Sequence, residues 1–356
     1  NTDLLPDELS DILSRLRAHG YSMPPQQLKR VLNENWGEGW LRNFRQFESR
    51  PFAAASIGQV HKAINAKGDM LAIKVQFPNI RQSIHSDLNN LRMILKSTGL
   101  IPETLDFDHY LEICKTQLLL ETDYTREAIF LSRFNALASS TQGIRTPSLF
   151  KSLSTKSVLV MSLEEGVQLD CVEEFSEIER ARIGLLLVTW TIREIFEFGL
   201  IQTDPNFANY RYDTKSGKIK LMDFGACIEL SAEVVSIYSE LLKSLLSNDE
   251  ISILNILIKY HLIPKKMPFV IRKKLQNILE TALKEFHESN MFSFAESKVF
   301  DYVTAENIKE MSAIIPSNLM PADLLLTQRK LIGLTFLLRK LGASLPLKKI
   351  LQIELL

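Results

Sequence analysis

Leu71-Ala72-Ile73-Lys74, Thr203-Asp204-Pro205-Asn206-Phe207-Ala208-Asn209 and Met222-Asp223-Phe224-Gly225 lie far apart in the chain, yet read together they decide its fold. The first string ends a run of alternating apolar residues in a lysine whose side chain shares a strand face with Ala72 and Gln76. An ammonium there can meet nucleotide phosphates, provided a carboxylate holds it. The second string sets Asp204 and Asn209 on a loop after an apolar helix. Alone, Asp-Pro-Asn is only a turn. The third sets Asp223 directly after a short strand at 218–222. Their order and spacing are those of the protein-kinase catalytic set, in which the first Asp would face the attacking group and Asn209 with Asp223 would hold Mg²⁺ bridging the phosphates. Oxygen donors suit that hard cation.

The surrounding sequence predicts where these strings sit. Strands are expected at 57–64 and 70–75, joined by a turn in which Lys67-Gly68-Asp69 supplies the chemistry. Before them, Leu9, Ile12, Leu13 and Leu16 recur at helical spacing, and a second helix follows Pro24-Pro25 with Leu28, Val31 and Leu32 on one face. Phe44 and Phe47 lead into the strands. A long helical stretch follows, broken near Gly99–Pro102, with its second half over 110–137, then strands at 146–151 and 157–161. After Gly166 the character changes: 181–198 is an apolar helix ended by Gly199, and everything from Ala232 onward reads as helical. The expected division is a helical extension (1–50), a small lobe with the nucleotide loop and inserted helices (51–166), and a large helical lobe with the catalytic loop and metal site (167–356). The fold class is α+β, a two-lobed, protein-kinase-like fold.

The carboxylate for Lys74 is expected from the 110–137 helix. Glu121 and Asp123 are two apart and do not share a helical face, whereas Asp123 and Glu127 are four apart and do. Arg126 is placed to neutralise one of them. One feature departs from an ordinary protein kinase. Where a glycine-rich loop belongs, the chain reads Ala53-Ala54-Ala55-Ser56-Ile57-Gly58-Gln59. Glycine lets backbone approach phosphates closely and reach φ > 0, and alanine restricts both. In addition, only 226–231 separates Gly225 from the next helix, with no Ala-Pro-Glu after it, which leaves little room to seat a peptide.

The segments PFAAASIGQVHK (51–62), ETDYTREA (121–128), QTDPNFANY (202–210) and LMDFGA (221–226) resemble the UbiB family of atypical kinase-like proteins, in particular its mitochondrial branch. The resemblance covers nearly the whole chain. It implies a kinase-like fold that binds adenine nucleotide with a divalent metal, and a slow ATPase activity stimulated by membranes and lipid-like ligands, in support of coenzyme Q biosynthesis. A protein kinase and a nucleotide-gated scaffold remain as alternatives. By position, Ala53, Ala54, Ala55 and Ser56 become the nucleotide loop, and Met161, Ser162, Leu163 and Glu164 the hinge against adenine. Glu121 and Asp123 become a regulatory Glu-x-Asp motif. Lys74, Glu127 and Asp204 become the catalytic set, with Glu127 the ion-pair partner of Lys74, and Asn209 and Asp223 the metal ligands. The implied partners are ATP or ADP, proteins of coenzyme Q biosynthesis, and anionic lipids or quinone precursors. The implied address is the matrix side of the mitochondrial inner membrane. The family's N-terminal Lys-x-Gly-Gln motif is not found here, so the chain is expected to lack its own lid.

The composition fits this reading. The 356 residues are 46% hydrophobic and 24% charged with zero net charge, so no global field draws the chain to nucleic acid. Three cysteines, Cys114, Cys171 and Cys227, form neither a disulfide framework nor a zinc spacing, which points to a reducing compartment. The six histidines are scattered. The longest apolar run, within 183–192, falls well short of the ~20 residues of a membrane span. The chain opens on Asn1 without a targeting segment and is expected to be part of a longer one. The stretch 324–356 is apolar with basic pairs Arg329-Lys330, Arg339-Lys340 and Lys348-Lys349. It reads either as a surface that meets lipid or as helices packed on the large lobe.

Overall fold

Leu71, Ile73 and Val75 are fully buried while Lys74 points the other way, so the central strand of the protein separates an apolar face from a polar one. The computed structural model describes residues 22–55, 57–98, 107–204, 206–304, 307, 310 and 320–354. The helix expected around Leu9 and Leu16 lies outside the described residues. The chain forms two compact units, Asn1–Val167 with Asn209–Cys227, and Gln168–Ala208 with Ile228–Leu356.

In the first unit an antiparallel sheet runs in the order Phe44–Phe47, Gly58–Asn65, Met70–Gln76, Val158–Ser162, with Ala53–Ala55 pairing alongside Gly58–Asn65. The hairpin turn is fixed by Asn65, whose side-chain oxygen accepts from the backbone N–H of Lys67 and of Asp69, both at 2.9 Å. The apolar face packs under the Pro25–Trp36 helix, where Leu28, Val31, Leu32, Trp40 and Phe44 join Leu71, Ile73 and Val75 in one core. Phe44–Phe47 is therefore a strand of the sheet, not the end of a helical extension. Two polar side chains lie among these apolar ones. Gln59 accepts from the Met23 N–H at 2.6 Å and contacts His61, whose Nδ1 lies 2.8 Å from the Glu48 carbonyl. Burial holds the His61 pKa below its usual value.

The helix expected over 110–137 is two helices, Phe107–Glu121 and Tyr124–Ser139. Asp123 causes the break. Its carboxylate accepts from the Arg126 N–H at 3.0 Å and caps the second helix. Asp123 and Glu127 thus do not share a helical face. A second sheet pairs Ile144–Arg145 in parallel with Lys218–Leu221, which pairs antiparallel with Tyr210–Asp213. This pairing places Asn209–Cys227 in the first unit, whereas the sequence reading assigned it to the large lobe. The strand expected at 146–151 is shorter and earlier, because Pro147 interrupts the ladder.

The second unit is mainly helical. Ser176 and Glu179 form a capping box that opens the Glu177–Arg193 helix. The helix then widens into a π turn, Glu194–Phe198, and ends at Gly199 with φ 58°. The helices Ala232–Leu246, Glu250–Lys259, Phe269–Glu288, Ala322–Lys340 and Leu347–Glu354 follow. A strand pair, Phe292–Ser293 with Ser344–Leu345, interrupts what reads in the sequence as helix throughout. Several basic residues of the last helices make contacts within this unit. Lys330 is buried against Glu194, Arg339 lies 4.6 Å over the Phe300 ring, and Lys340 donates to the Asp170 carbonyl at 2.6 Å. Lys330 is thus buried in the unit, whereas Arg339, Lys340 and Lys349 are exposed. Among the described residues, no helix is long and apolar enough to cross a membrane.

Candidate functional site

The polar face of the central sheet carries Lys74, opposite Leu159 on one side and Val60 on the other. Its ammonium donates to Glu127 at 2.6 Å and to Asp223 at 3.0 Å. The ion pair expected between Lys74 and Glu127 is therefore present, and Asp223 joins it. The sheet brings Lys74 there, the first turn of the capped Tyr124–Ser139 helix brings Glu127, and the end of the Lys218–Leu221 strand brings Asp223. The Lys74 and Glu127 side chains are buried, whereas that of Asp223 is 35% exposed, so the cluster opens outward at Asp223.

Electrostatics follow from one ammonium shared by two carboxylates. Burial pushes the Glu127 carboxyl up to about 7, with Lys74 opposing and Asp223 adding to the rise. Burial alone would lower the Lys74 pKa, but Asp223 and Glu127 outweigh it and keep the ammonium charged. Asp223 is also pushed up by burial, yet Lys74 and the Gly225 N–H, which donates to its Oδ1 at 2.9 Å, hold it below the usual carboxylate range. Fully ionised, the three groups carry a net charge of −1 around an open carboxylate.

Arg126 anchors the Asp-Phe-Gly loop instead of neutralising an acid. Its guanidinium donates to the Gly225 carbonyl at 2.9 Å and to that of Cys227, and stacks 4.5 Å from the Phe130 ring. Phe224 is buried against Phe134 of the same helix, with ring centroids 5.3 Å apart. Glu121 reaches this loop too: a Cβ built on Gly225 would lie 3.8 Å from its Cγ. The Glu121 side chain thus faces the loop, while that of Asp123 is spent on its cap. Asn209 precedes the Tyr210–Asp213 strand, and its carbonyl accepts from the Met222 N–H at 2.9 Å, which sets it beside the residue before Asp223. Asp204 belongs to the second unit. There its carboxylate accepts from the Asn206 N–H at 3.1 Å and lies 3.9 Å from an Arg329 nitrogen.

Met161 is buried at the end of the Val158–Ser162 strand, and the Leu163 N–H donates to the Met70 carbonyl at 2.9 Å. The Ser162 hydroxyl donates to Glu164 at 2.8 Å, and Glu164 pairs with Lys220 at 3.3 Å. Ala53, Ala54 and Ala55 form a regular strand in register with Val60, Gln59 and Gly58. Ser56 lies outside the described residues.

Two further residues emerge only from the structure. Tyr124 is buried, and its hydroxyl has no hydrogen-bond partner while Lys74, Glu127, Asp223 and Glu121 all act on it. A Cβ on Gly58 would stand 2.2 Å from the Val75 carbonyl oxygen, so only glycine fits where this strand begins its pairing with the lysine strand. Both lie inside quoted segments, but neither residue type alone announces its role.

The donor set suits a hard divalent cation: a half-buried carboxylate at the open side of the cluster, with surplus negative charge around it. Among the described residues no three His, Cys, Asp or Glu side chains gather into a metal site. Mg²⁺ needs no such cage, because it takes one or two carboxylates plus phosphate oxygens and water.

Comparison with known proteins gives three findings. Residues 15–257 match the ABC1 atypical kinase-like domain. Over 243 residues the chain is 39% identical to the mitochondrial atypical kinase COQ8 of Schizosaccharomyces pombe, covering 68% of this chain and 40% of that one. It is 36% identical over 239 residues to COQ8 of Saccharomyces cerevisiae, covering 67% and 48%. The chain thus spans less than half the length of these relatives. In fold it is similar to Rv3197 of Mycobacterium tuberculosis, solved in complex with erythromycin, with a TM-score of 0.74 and 21% identity over 97% of this chain and 87% of that one. The expected α+β kinase-like fold is the observed one.

Proposed function

The chain belongs to the ABC1, or UbiB, atypical kinase-like family, and on that premise we propose that it is an ATP-binding, phosphoryl-transfer-class protein that supports coenzyme Q biosynthesis. The observation that carries this reading is the Lys74 ammonium held between Glu127 and Asp223 at 2.6 and 3.0 Å. In this reading Lys74 meets the nucleotide phosphates, Glu127 keeps it in place, and Asp223 and Asn209 hold Mg²⁺. The metal would supply charge neutralisation at the phosphate oxygens. Ala53–Ala55 with Ser56 cover the phosphates, Met161–Glu164 meet adenine, and Asp204 faces the attacking group.

An ATPase is favoured over a protein kinase. The Ala232–Leu246 helix begins soon after Gly225, and Ser231 already caps it. That leaves no extended segment on which a peptide could lie. Glu121, facing the Asp-Phe-Gly loop, is placed to tune the metal site. The relatives' names point to the mitochondrion, and we place the protein at the matrix face of the inner membrane, with coenzyme Q pathway proteins and lipid-like quinone precursors as partners. The test is ATP hydrolysis with and without liposomes, wild type against Asp223→Asn. Membrane-stimulated turnover that the variant loses supports the reading. Turnover that survives the substitution refutes it.

A further inference from the structure

A pocket of about 530 Å³ opens between the end of the Tyr124–Ser139 helix and the strands Ile144–Arg145 and Lys218–Leu221, outside the Lys74 cluster. Strand register explains its charge. Lys220 pairs with Arg145 across the parallel ladder, and Lys218 lies two residues away on the same face. Ile144, Ile219 and Leu221 take the opposite face and are buried. Three cations are therefore displayed side by side, with Glu164 and Asp213 as the carboxylates of the same pocket.

Those carboxylates are already committed. Lys220 lies 3.3 Å from Glu164 and 3.6 Å from Asp213, and also donates to the Glu165 carbonyl at 3.0 Å. Asp213 in addition accepts from the Ser216 hydroxyl at 2.8 Å. Arg145 and Lys218 have no hydrogen-bond or ion-pair partner among the described residues. The wall between them carries the hydroxyl of Ser148, whose backbone N–H is taken by Ser162. The result is a concave site of small-ligand size whose three cations outnumber its two carboxylates by one, with the Arg145 and Lys218 side chains free of hydrogen bonds and a spare hydroxyl beside them.

We infer that this pocket binds a phosphate monoester. The pocket has surplus positive charge and two cationic side chains with donors to spare, and a phosphate monoester brings three oxygens and an anionic charge to meet them, where a single carboxylate brings two oxygens. Arginine offers a planar fork to two phosphate oxygens, and lysine a point charge to a third. A bound phosphate would also sit beside Lys220, which ties Glu164 to the strand leading to Asp223. The site therefore lies where its occupant can alter that strand. Glu164 is shared with the segment read as the adenine hinge, but Arg145 and Lys218, which carry the proposal, belong to no part of the nucleotide site.

The phosphate could come from a soluble metabolite or from a lipid headgroup, and two probes separate these. Glycerol 3-phosphate is titrated calorimetrically into the protein, and vesicles of phosphatidylcholine with or without phosphatidic acid are tested by co-sedimentation. Each is repeated with Arg145→Gln/Lys218→Gln. Charge-assisted hydrogen bonds are the strong class, so the double variant should lose at least about tenfold in affinity for whichever probe binds. Its thermal midpoint should stay near that of wild type, because neither side chain has a partner to lose. Binding of the soluble probe identifies a metabolite site, and binding of phosphatidic acid vesicles alone identifies a headgroup site. The inference is overturned if neither probe binds, or if the double variant binds as well as wild type.

Discussion

Lys330→Met should destabilise the protein by an amount that grows with pH, and the structure fixes its scale. Glu194 is fully buried, and Lys330 is 2% exposed. The lysine donates to one carboxylate oxygen, and the Gln202 N–H donates to the other at 3.1 Å. Burial raises the Glu194 pKa, and Lys330 is the main group opposing that rise. Without the ammonium, a buried carboxylate is left uncompensated, which typically costs about 3–5 kcal/mol. The folded variant can instead keep Glu194 protonated. Each pH unit above the unfolded carboxyl value of about 4.3 then costs about 1.4 kcal/mol, or about 3.7 kcal/mol at pH 7.0 and about 1.6 kcal/mol at pH 5.5. The sign is that of a carboxyl whose folded pKa is raised: its stability is present below the unfolded value and lost as pH rises. Urea unfolding of both proteins at pH 5.5 and 7.0 should therefore show a deficit larger by about 2 kcal/mol at the higher pH. Glu194→Gln/Lys330→Met should recover most of the loss, since a neutral amide still accepts from Gln202. Turnover should fall in the single variant, because Gln202 lies two residues before Asp204. A deficit under about 1 kcal/mol at pH 7.0, or one independent of pH, would refute the reasoning.

Asp223→Asn should abolish the Mg²⁺-dependent part of ATP stabilisation in a thermal-shift assay while leaving the metal-free protein folded, and an unchanged metal-dependent shift counts against the metal assignment. Gly58→Ala should cost about 1–3 kcal/mol in urea unfolding, because the new Cβ meets the Val75 carbonyl oxygen at 2.2 Å and a neighbouring strand must move. Arg126→Gln should cost about 2 kcal/mol through loss of the hydrogen bonds to Gly225 and Cys227 and should weaken ATP binding by calorimetry. Wild-type ATP affinity in that variant would show that the Asp-Phe-Gly loop is held by other means.

The features legible in the sequence were those that local pattern encodes. Lys74 stands in a period-2 strand whose buried neighbours Leu71, Ile73 and Val75 fix its direction, and Asp223 follows a short strand, so the position of each is legible in local pattern. Glu127 follows only from the resemblance, because Asp123 and Glu127 share a face only on one unbroken helix. Asp123 is a favoured N-cap residue, and reading it as one would have ended the first helix at Glu121 and freed Glu127 for the lysine. Other features depend on pairings that no window of sequence contains. Asn209–Cys227 joins the first unit through a parallel ladder to Ile144–Arg145. The Glu194–Lys330 pair links residues 136 apart. Yet half of that pair did leave a trace. Lys330 belongs to a basic pair, yet Leu324, Thr327, Leu334 and Leu337 mark a buried stripe, and position 330 falls on it at helical spacing. A lysine on such a stripe cannot stay charged in an apolar core without a carboxylate. The apolar Glu177–Arg193 helix leads directly into an acidic residue, Glu194, at its buried end. Two charges that each break an apolar pattern argue for one another, and that inference needs neither homologue nor coordinates.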